Sequence, residues 1–131
     1  RKDNLFQRFK HTKEDSKIKI KRYDLLYRFC YHDIGYIYKK IYQKKINLIR
    51  IISSKPSLKF LIRFGDQDFT FHYDTQINKK VYTFNKINLL QKNDIIKKML
   101  TDYLYNKKSY KLNKKKSLYI IKLLEKIRHE I

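Results

Sequence analysis

Four histidines, one cysteine and a sparse set of carboxylates are the groups with which this 131-residue chain would have to do covalent or metal chemistry. His11, His32, His72 and His129 lie far apart in sequence, and no two share metal-ligand spacing. His72 and Asp74 would lie on one face of a strand, an arrangement expected as a surface pair rather than a catalytic one. Asp66, Asp68 and Asp74 form the only local acidic cluster, but the remaining positions of a calcium loop are missing, so a solvated loop is expected. With only Gly35 and Gly65 there can be no glycine-rich phosphate loop. Cys30 alone excludes an internal disulfide or a cysteine-based metal site, and beside Leu26 and Phe29 it reads as a buried small hydrophobe. The convergent reactive groups that an active site needs are not visible, so the expectation is a protein that is not an enzyme and that takes no cofactor.

The residues left over for function are basic. Lys and Arg number 33 against 12 Asp and Glu, a formal net charge of +21. Surface charge kept for solubility is usually about 2–8 units on a small domain. A larger excess destabilises a compact body by self-repulsion, and a polyanionic partner relieves it through counterion release. The positive residues come in pairs and runs, at Lys39-Lys40, Lys44-Lys45, Lys79-Lys80, Lys97-Lys98, Lys107-Lys108 and Lys114 to Lys116. Such groups track phosphates, and twelve tyrosines add capacity for stacking and phosphate bonding. Composition also points to an A/T-biased genome: Lys, Ile, Tyr, Phe and Asn, all with A/T-rich codons, make up 72 residues, and Ala is absent. No apolar run approaches the roughly 18 residues of a membrane span. Arg1 stands first rather than Met, so residues before it are expected, and no targeting signal can be read.

The elements that must position these residues read as α+β. Leu5, Phe6 and Phe9 suggest an amphipathic helix over Asp3–Thr12, and Tyr23, Leu26, Tyr27 and Cys30 a second over Ser16–His32, stopped at Gly35. Tyr36–Tyr42 and Ile46–Ser53 read as a hairpin, Lys55-Pro56-Ser57 as a turn or edge feature, and Leu58–Phe64 as a third strand. A loop over Gly65–Asp68 leads to a strand through Phe69, Phe71 and Tyr73, and a further strand is expected over Lys80–Phe84. Asp94 caps an expected helix through Ile95, Met99 and Tyr103. Asn106–Lys116 reads as a basic connector and Leu118–Arg128 as a last helix. The whole is expected as two N-terminal helices packed on a small sheet (1–64), followed by a smaller strand-plus-helix part (65–131). Leu5, Phe9, Leu25, Leu26, Phe29, Ile37, Leu48, Ile51, Leu58 and Phe60 are the expected core.

Read in this order, Asp3-Asn4-Leu5-Phe6-Gln7-Arg8, Ser16-Lys17-Ile18-Lys19, Gly35-Tyr36-Ile37, Lys55-Pro56-Ser57-Leu58 and Lys79-Lys80-Val81-Tyr82 resemble small-subunit ribosomal protein eight in its mitochondrial form. The likeness covers about residues 3–85; the family's C-terminal Ser-Thr-Ser-Lys-Gly and Gly-Gly-Glu motifs have no counterpart. It implies a structural constituent of an organellar small ribosomal subunit, in the mitochondrion, with ribosomal RNA and neighbouring ribosomal proteins as partners and no small-molecule substrate. A weaker resemblance, to small-subunit ribosomal protein ten, would place Leu58–Phe64 as its first strand. An accessory basic subunit of an organellar membrane complex is the alternative from another class, and a nuclease a third. The resemblance and the polar face of the first expected helix put Arg8, Lys10 and Lys13 on RNA. Lys55 joins them because it precedes Pro56 in a turn. Lys79 and Lys80 match the family's basic pair, and Lys107, Lys108, Lys114, Lys115 and Lys116 rest on charge density.

Overall fold

The computed structural model describes residues 3–9, 25–54, 57–75, 80–90 and 107–131, with side chains at all of these except 3 and 107–112. The elements in chain order are β1 (Asp3–Phe9), α1 (Tyr31–Ile41, entered through a π-helical stretch at Leu26–Cys30), β2 (Ile46–Ser53), β3 (Leu58–Phe64), β4 (Gln67–Asp74), β5 (Val81–Phe84), β6 (Ile87–Asn88) and α2 (Lys107–Glu130). The six strands form one sheet in the order β2-β3-β4-β1-β5-β6. β1 runs parallel to β4 and antiparallel to β5, and the remaining pairings are antiparallel.

The fold is thus α+β, but a strand comes first rather than two helices. Asp3–Phe9 is extended because it fills the slot between β4 and β5, pairing over its whole length with β4 and through Phe6 to Phe9 with β5. Leu5, Phe6 and Phe9 carry a helix-like spacing, yet two flanking strands offer more backbone bonds and more burial than an isolated helix, and pairing overrides local preference. Alternation then decides the core. Asn4, Phe6 and Arg8 face the helices, while Leu5 and Phe9 turn to the opposite face and are only half-buried, against expectation.

The second correction concerns Gly35 and the expected strand Tyr36–Tyr42. The helix runs through Gly35 to Ile41 and is capped at Tyr42, whose N–H donates to the Tyr38 carbonyl. Leu26, Cys30, Ile34, Ile37 and Ile41 form one continuous buried stripe at helical spacing, and that periodicity outweighs the glycine. Gly35 faces α2: an added Cβ would sit 3.5 Å from Lys116 Cε and 3.7 Å from Ile120 Cδ1. The expected basic connector also differs, since α2 begins at Lys107 and carries Lys114 to Lys116 on its own surface. Its Ile120, Leu123, Leu124 and Ile127 are buried.

Strands β2, β3, β4 and β5 lie where alternation placed them, although Gln67 and Asp68 belong to β4 rather than to a loop, and Leu48 and Ile51 are half-buried on the edge strand β2. Leu58, Phe60, Ile62 and Phe64 of β3, Phe69, Phe71 and Tyr73 of β4, and Phe84 of β5 complete the core under the helices. Gly65, at φ 62°, makes the tight β3–β4 turn, and Asn85 and Lys86, both at positive φ, make the turn between β5 and β6. Across the expected 64/65 boundary, β3 pairs with β4 and β1 lies between β4 and β5. Residues 10–24, 55–56 and 91–106, which hold most of the second expected helix, the Lys-Pro turn and the Asp94-capped helix, lie outside the described residues.

Because Gly35 is inside a helix with ordinary van der Waals room for a methyl group, Gly35→Ala should stabilise the protein by about 0.5–1 kcal/mol. A left-handed helix stop would give the opposite sign, so urea unfolding of the two proteins decides between the conformations.

Candidate nucleic-acid interface

Two basic regions emerge from the packing. The first is built around Asp33, in the first turn of α1, whose side chain is fully buried. A buried carboxylate must be supplied with donors. Tyr73 of β4 donates to its Oδ2 at 2.6 Å, and Tyr82 of β5 to its Oδ1 at 2.5 Å. Arg8 of β1 brings Nη2 to 3.9 Å from Oδ1, beyond direct hydrogen-bond length. Burial raises the Asp33 pKa above its ordinary 3.8, and the Arg8 charge and the two phenol donors oppose the rise. Burial and then the Asp33 charge push the Tyr82 hydroxyl up, and burial lowers His32, with Arg8 adding to the effect. Cys30 beside them is fully buried and its thiol is pushed well up by burial, as befits an inert packing residue.

Arg8 does more than approach Asp33. Its guanidinium lies 3.7 Å from the centre of the Tyr82 ring and 4.9 Å from that of Phe29, a double cation–π contact that holds it flat. In front of it opens a cavity of about 170 Å³ lined by Arg8, Phe9, Phe29, Lys80, Val81, Tyr82 and Leu90. The fold therefore brings together Arg8 and Lys80, two expected RNA-contact residues 72 positions apart. The register pairing Phe9 with Val81 and Arg8 with Tyr82 explains why. Lys10, Lys13, Lys55 and Lys79 lie outside the described residues.

The second region is where α1 and α2 meet. Lys116 lays its chain over Gly35 and sets its ammonium 5.9 Å from the centre of the Tyr38 ring. Tyr38 stacks on Tyr42 at 5.1 Å and meets Tyr119 edge-on at 5.4 Å. Burial, and then the neighbouring Lys39 charge, lower the Lys116 pKa. Like charges thus face each other, and among the described residues no carboxylate pairs with Lys116. Tyr31 Oη and Ser117 Oγ share a hydrogen bond at 2.9 Å, and Tyr27 donates to Glu125 Oε1 at 2.5 Å, which fixes the two helices against each other. Lys39, Lys40, Lys114 and Lys115 stand exposed around this seam. Lys107 and Lys108 lie in the first turn of α2.

Sequence reasoning chose Lys114 to Lys116 but passed over Lys39, Lys40 and Tyr38. The pair Lys39-Lys40 was visible as a pair; its meeting with Lys116 depends on helix docking. Other polar groups serve the scaffold or stand apart. Asp68 is held by Arg63 at 2.7 Å, Asp66 sits exposed in the β3–β4 turn, and His72 Nε2 lies 3.3 Å from Ser57 Oγ with its ring edge-on to Phe9. Among the described residues no group of His, Cys, Asp and Glu is arranged to hold a metal ion. No described helix is long and apolar enough to cross a membrane. Comparison with protein-family models, with curated proteins and with solved structures returned no match.

The Asp33 network gives a pH signature. The folded protein holds this proton more tightly than the unfolded chain does, because burial raises the folded pKa. The Asp33 contribution to stability is therefore fullest below the unfolded value near 3.8 and declines as pH rises through the raised folded value. Asp33→Asn should remove that decline. The stability of the wild type relative to the variant should fall with rising pH across this interval and then level off, as read by urea unfolding at stepped pH.

Proposed function

We propose that this protein is a structural RNA-binding component of an organellar small ribosomal subunit, held to ribosomal RNA through phosphate and shape contacts rather than by chemistry. The observation that carries the RNA reading is the α1–α2 seam, where Lys39 and Lys116 meet beside the Tyr38 ring without a neutralising carboxylate among the described residues, on two helices that also expose Lys40, Lys114 and Lys115. Ammonium groups crowded in this way repel one another until a polyanion arrives, and releasing its counterions provides the drive. Asp66 and Glu130 are the exposed acids among the described residues, whereas Arg28, Lys45, Arg50, Lys80, Lys86, Lys122 and Lys126 are exposed as well as the seam. A partner that meets the protein on several sides, as ribosomal RNA does, suits this distribution. The ribosomal assignment itself rests on the sequence resemblance, and the mitochondrion on that resemblance and the A/T-biased composition.

Sedimentation of organelle lysate tests the assignment. The protein should travel with the small ribosomal subunit and leave it at high salt; migration with a membrane complex would overturn the reading.

The seam has its own test. Lys39→Ala combined with Lys116→Ala should flatten the dependence of log K on log salt for a hairpin RNA by about 1.4–1.8 units, two phosphate contacts at roughly 0.7–0.9 each. An unchanged slope would remove the seam from the interface.

A further inference from the structure

The cavity at the end of the sheet is unlike the seam. It is small, largely apolar and walled by rings, yet it holds one rigid cation. We propose that it takes a single unpaired nucleobase of the bound RNA, with Arg8 donating to an acceptor on the base edge and Lys80 at the rim meeting that nucleotide's phosphate. This inference rests on the RNA-binding reading and names a subsite within it.

Three observations carry the inference. The first is size. About 170 Å³ is close to the roughly 150 Å³ of an apolar cavity that accepts one benzene ring, and well below the roughly 300–1,000 Å³ of sites for larger ligands. The second is the lining. Phe29, Tyr82 and Leu90 offer apolar walls, with Phe9 and Val81 bordering the cavity at the strand ends, which suit the flat face of a base and give a hydrated phosphate nothing to replace its water. The third is the state of Arg8. Its side chain is only 15% exposed and is held on the Tyr82 ring, with the Asp33 carboxylate 3.9 Å behind it. That carboxylate offsets much of the Arg8 charge, so the site favours a neutral hydrogen-bond acceptor over a free anion. The acceptor edge of a base, such as the oxygen and ring nitrogen of guanine, matches the guanidinium fork.

The cavity lies about 15 Å from the seam along α1 and its π-helical entry, counting ten residues from Phe29 to Lys39 at roughly 1.5 Å each. A strand tracked by the seam lysines can therefore reach it within a few nucleotides. Stacking on protein rings depends on the base being unpaired, so the subsite selects single-stranded over duplex RNA.

The test uses two labelled 12-nucleotide RNA strands, one of guanosine and uridine and one abasic throughout, with the same number of phosphates. Fluorescence anisotropy at one salt concentration reads their affinities for the full chain. The base-bearing strand should bind at least about fivefold more tightly, the lower end of what one stacked base contributes. Leu90→Phe, which adds a ring at the rim of the cavity, should abolish that preference and leave abasic binding unchanged. Leu90 is 40% exposed, so this substitution leaves the core untouched. Equal wild-type affinity for the two strands would overturn the base subsite and leave the phosphate-binding reading intact. A preference that survives a folded filling variant would place the base elsewhere and overturn it too. Failure of the wild type to bind either strand would overturn the RNA-binding reading itself.

Discussion

A carboxylate with no exposure to water sits at the centre of this fold, and the arrangement of helix on sheet depends on how it is satisfied. Moving a charge of that size out of water costs several kcal/mol, and removing one partner of a buried pair costs about 3–5 kcal/mol. Asp33 is met by three strands at once, by Arg8 from β1, Tyr73 from β4 and Tyr82 from β5. Hydrogen bonds to a charged group contribute roughly 1.5–3 kcal/mol each, so the two phenols offset much of the desolvation. The network also has direction. A rotation or slide of α1 by one residue would carry Asp33 away from both phenol donors and the Arg8 charge, so α1 has one seat on the sheet. The same seat puts Phe29 over Arg8 and thereby forms one wall of the cavity.

That use of Asp33 belongs to a wider division of labour among charges. Several described carboxylates work inward or along the scaffold: Asp33 in the core, Asp68 with Arg63, Glu125 with Tyr27. Each is held by a partner that the fold supplies, and Asp33 and Asp68 are buried as well. The lysines, with long stems and strongly hydrated heads, stay outside. A large imbalance in composition becomes steeper still at the described surface, because Asp33 and Asp68 are buried while most described lysines stay exposed. The face that results is poorly suited to standing alone and well suited to a phosphate-rich partner.

The aromatic residues divide in a similar way. Phe6, Phe60, Phe69, Phe71, Phe84 and Tyr73 stack and cross under the helices as the body of the core. Tyr27 and Tyr31 fasten helix to helix through their hydroxyls. Tyr36 and Tyr42, by contrast, remain exposed, Tyr36 edge-on to Phe6 and Phe84 and Tyr42 stacked on Tyr38 of the seam. A single residue type therefore serves as filler, as fastener and as surface ring, and only position distinguishes the three.

The charge, the burial of Cys30, the mixed α+β class and the strands β2 to β5 were legible in the residues, since alternation of apolar and polar side chains is a local property with a two-residue period. The residues also carried the stripe of Leu26, Cys30, Ile34, Ile37 and Ile41, although Gly35 and the richness in Ile and Tyr masked it. The tertiary structure alone decided β1. Its seven residues have no strong preference of their own, and they become a strand because β4 and β5 leave a slot with unpaired backbone groups on both sides. It alone also decided the site. Arg8 and Lys80 come together through the pairing of β1 with β5, and Lys39 meets Lys116 through the docking of α2 on α1. These are contacts between residues far apart in the chain, set by register and docking, and no local pattern encodes them.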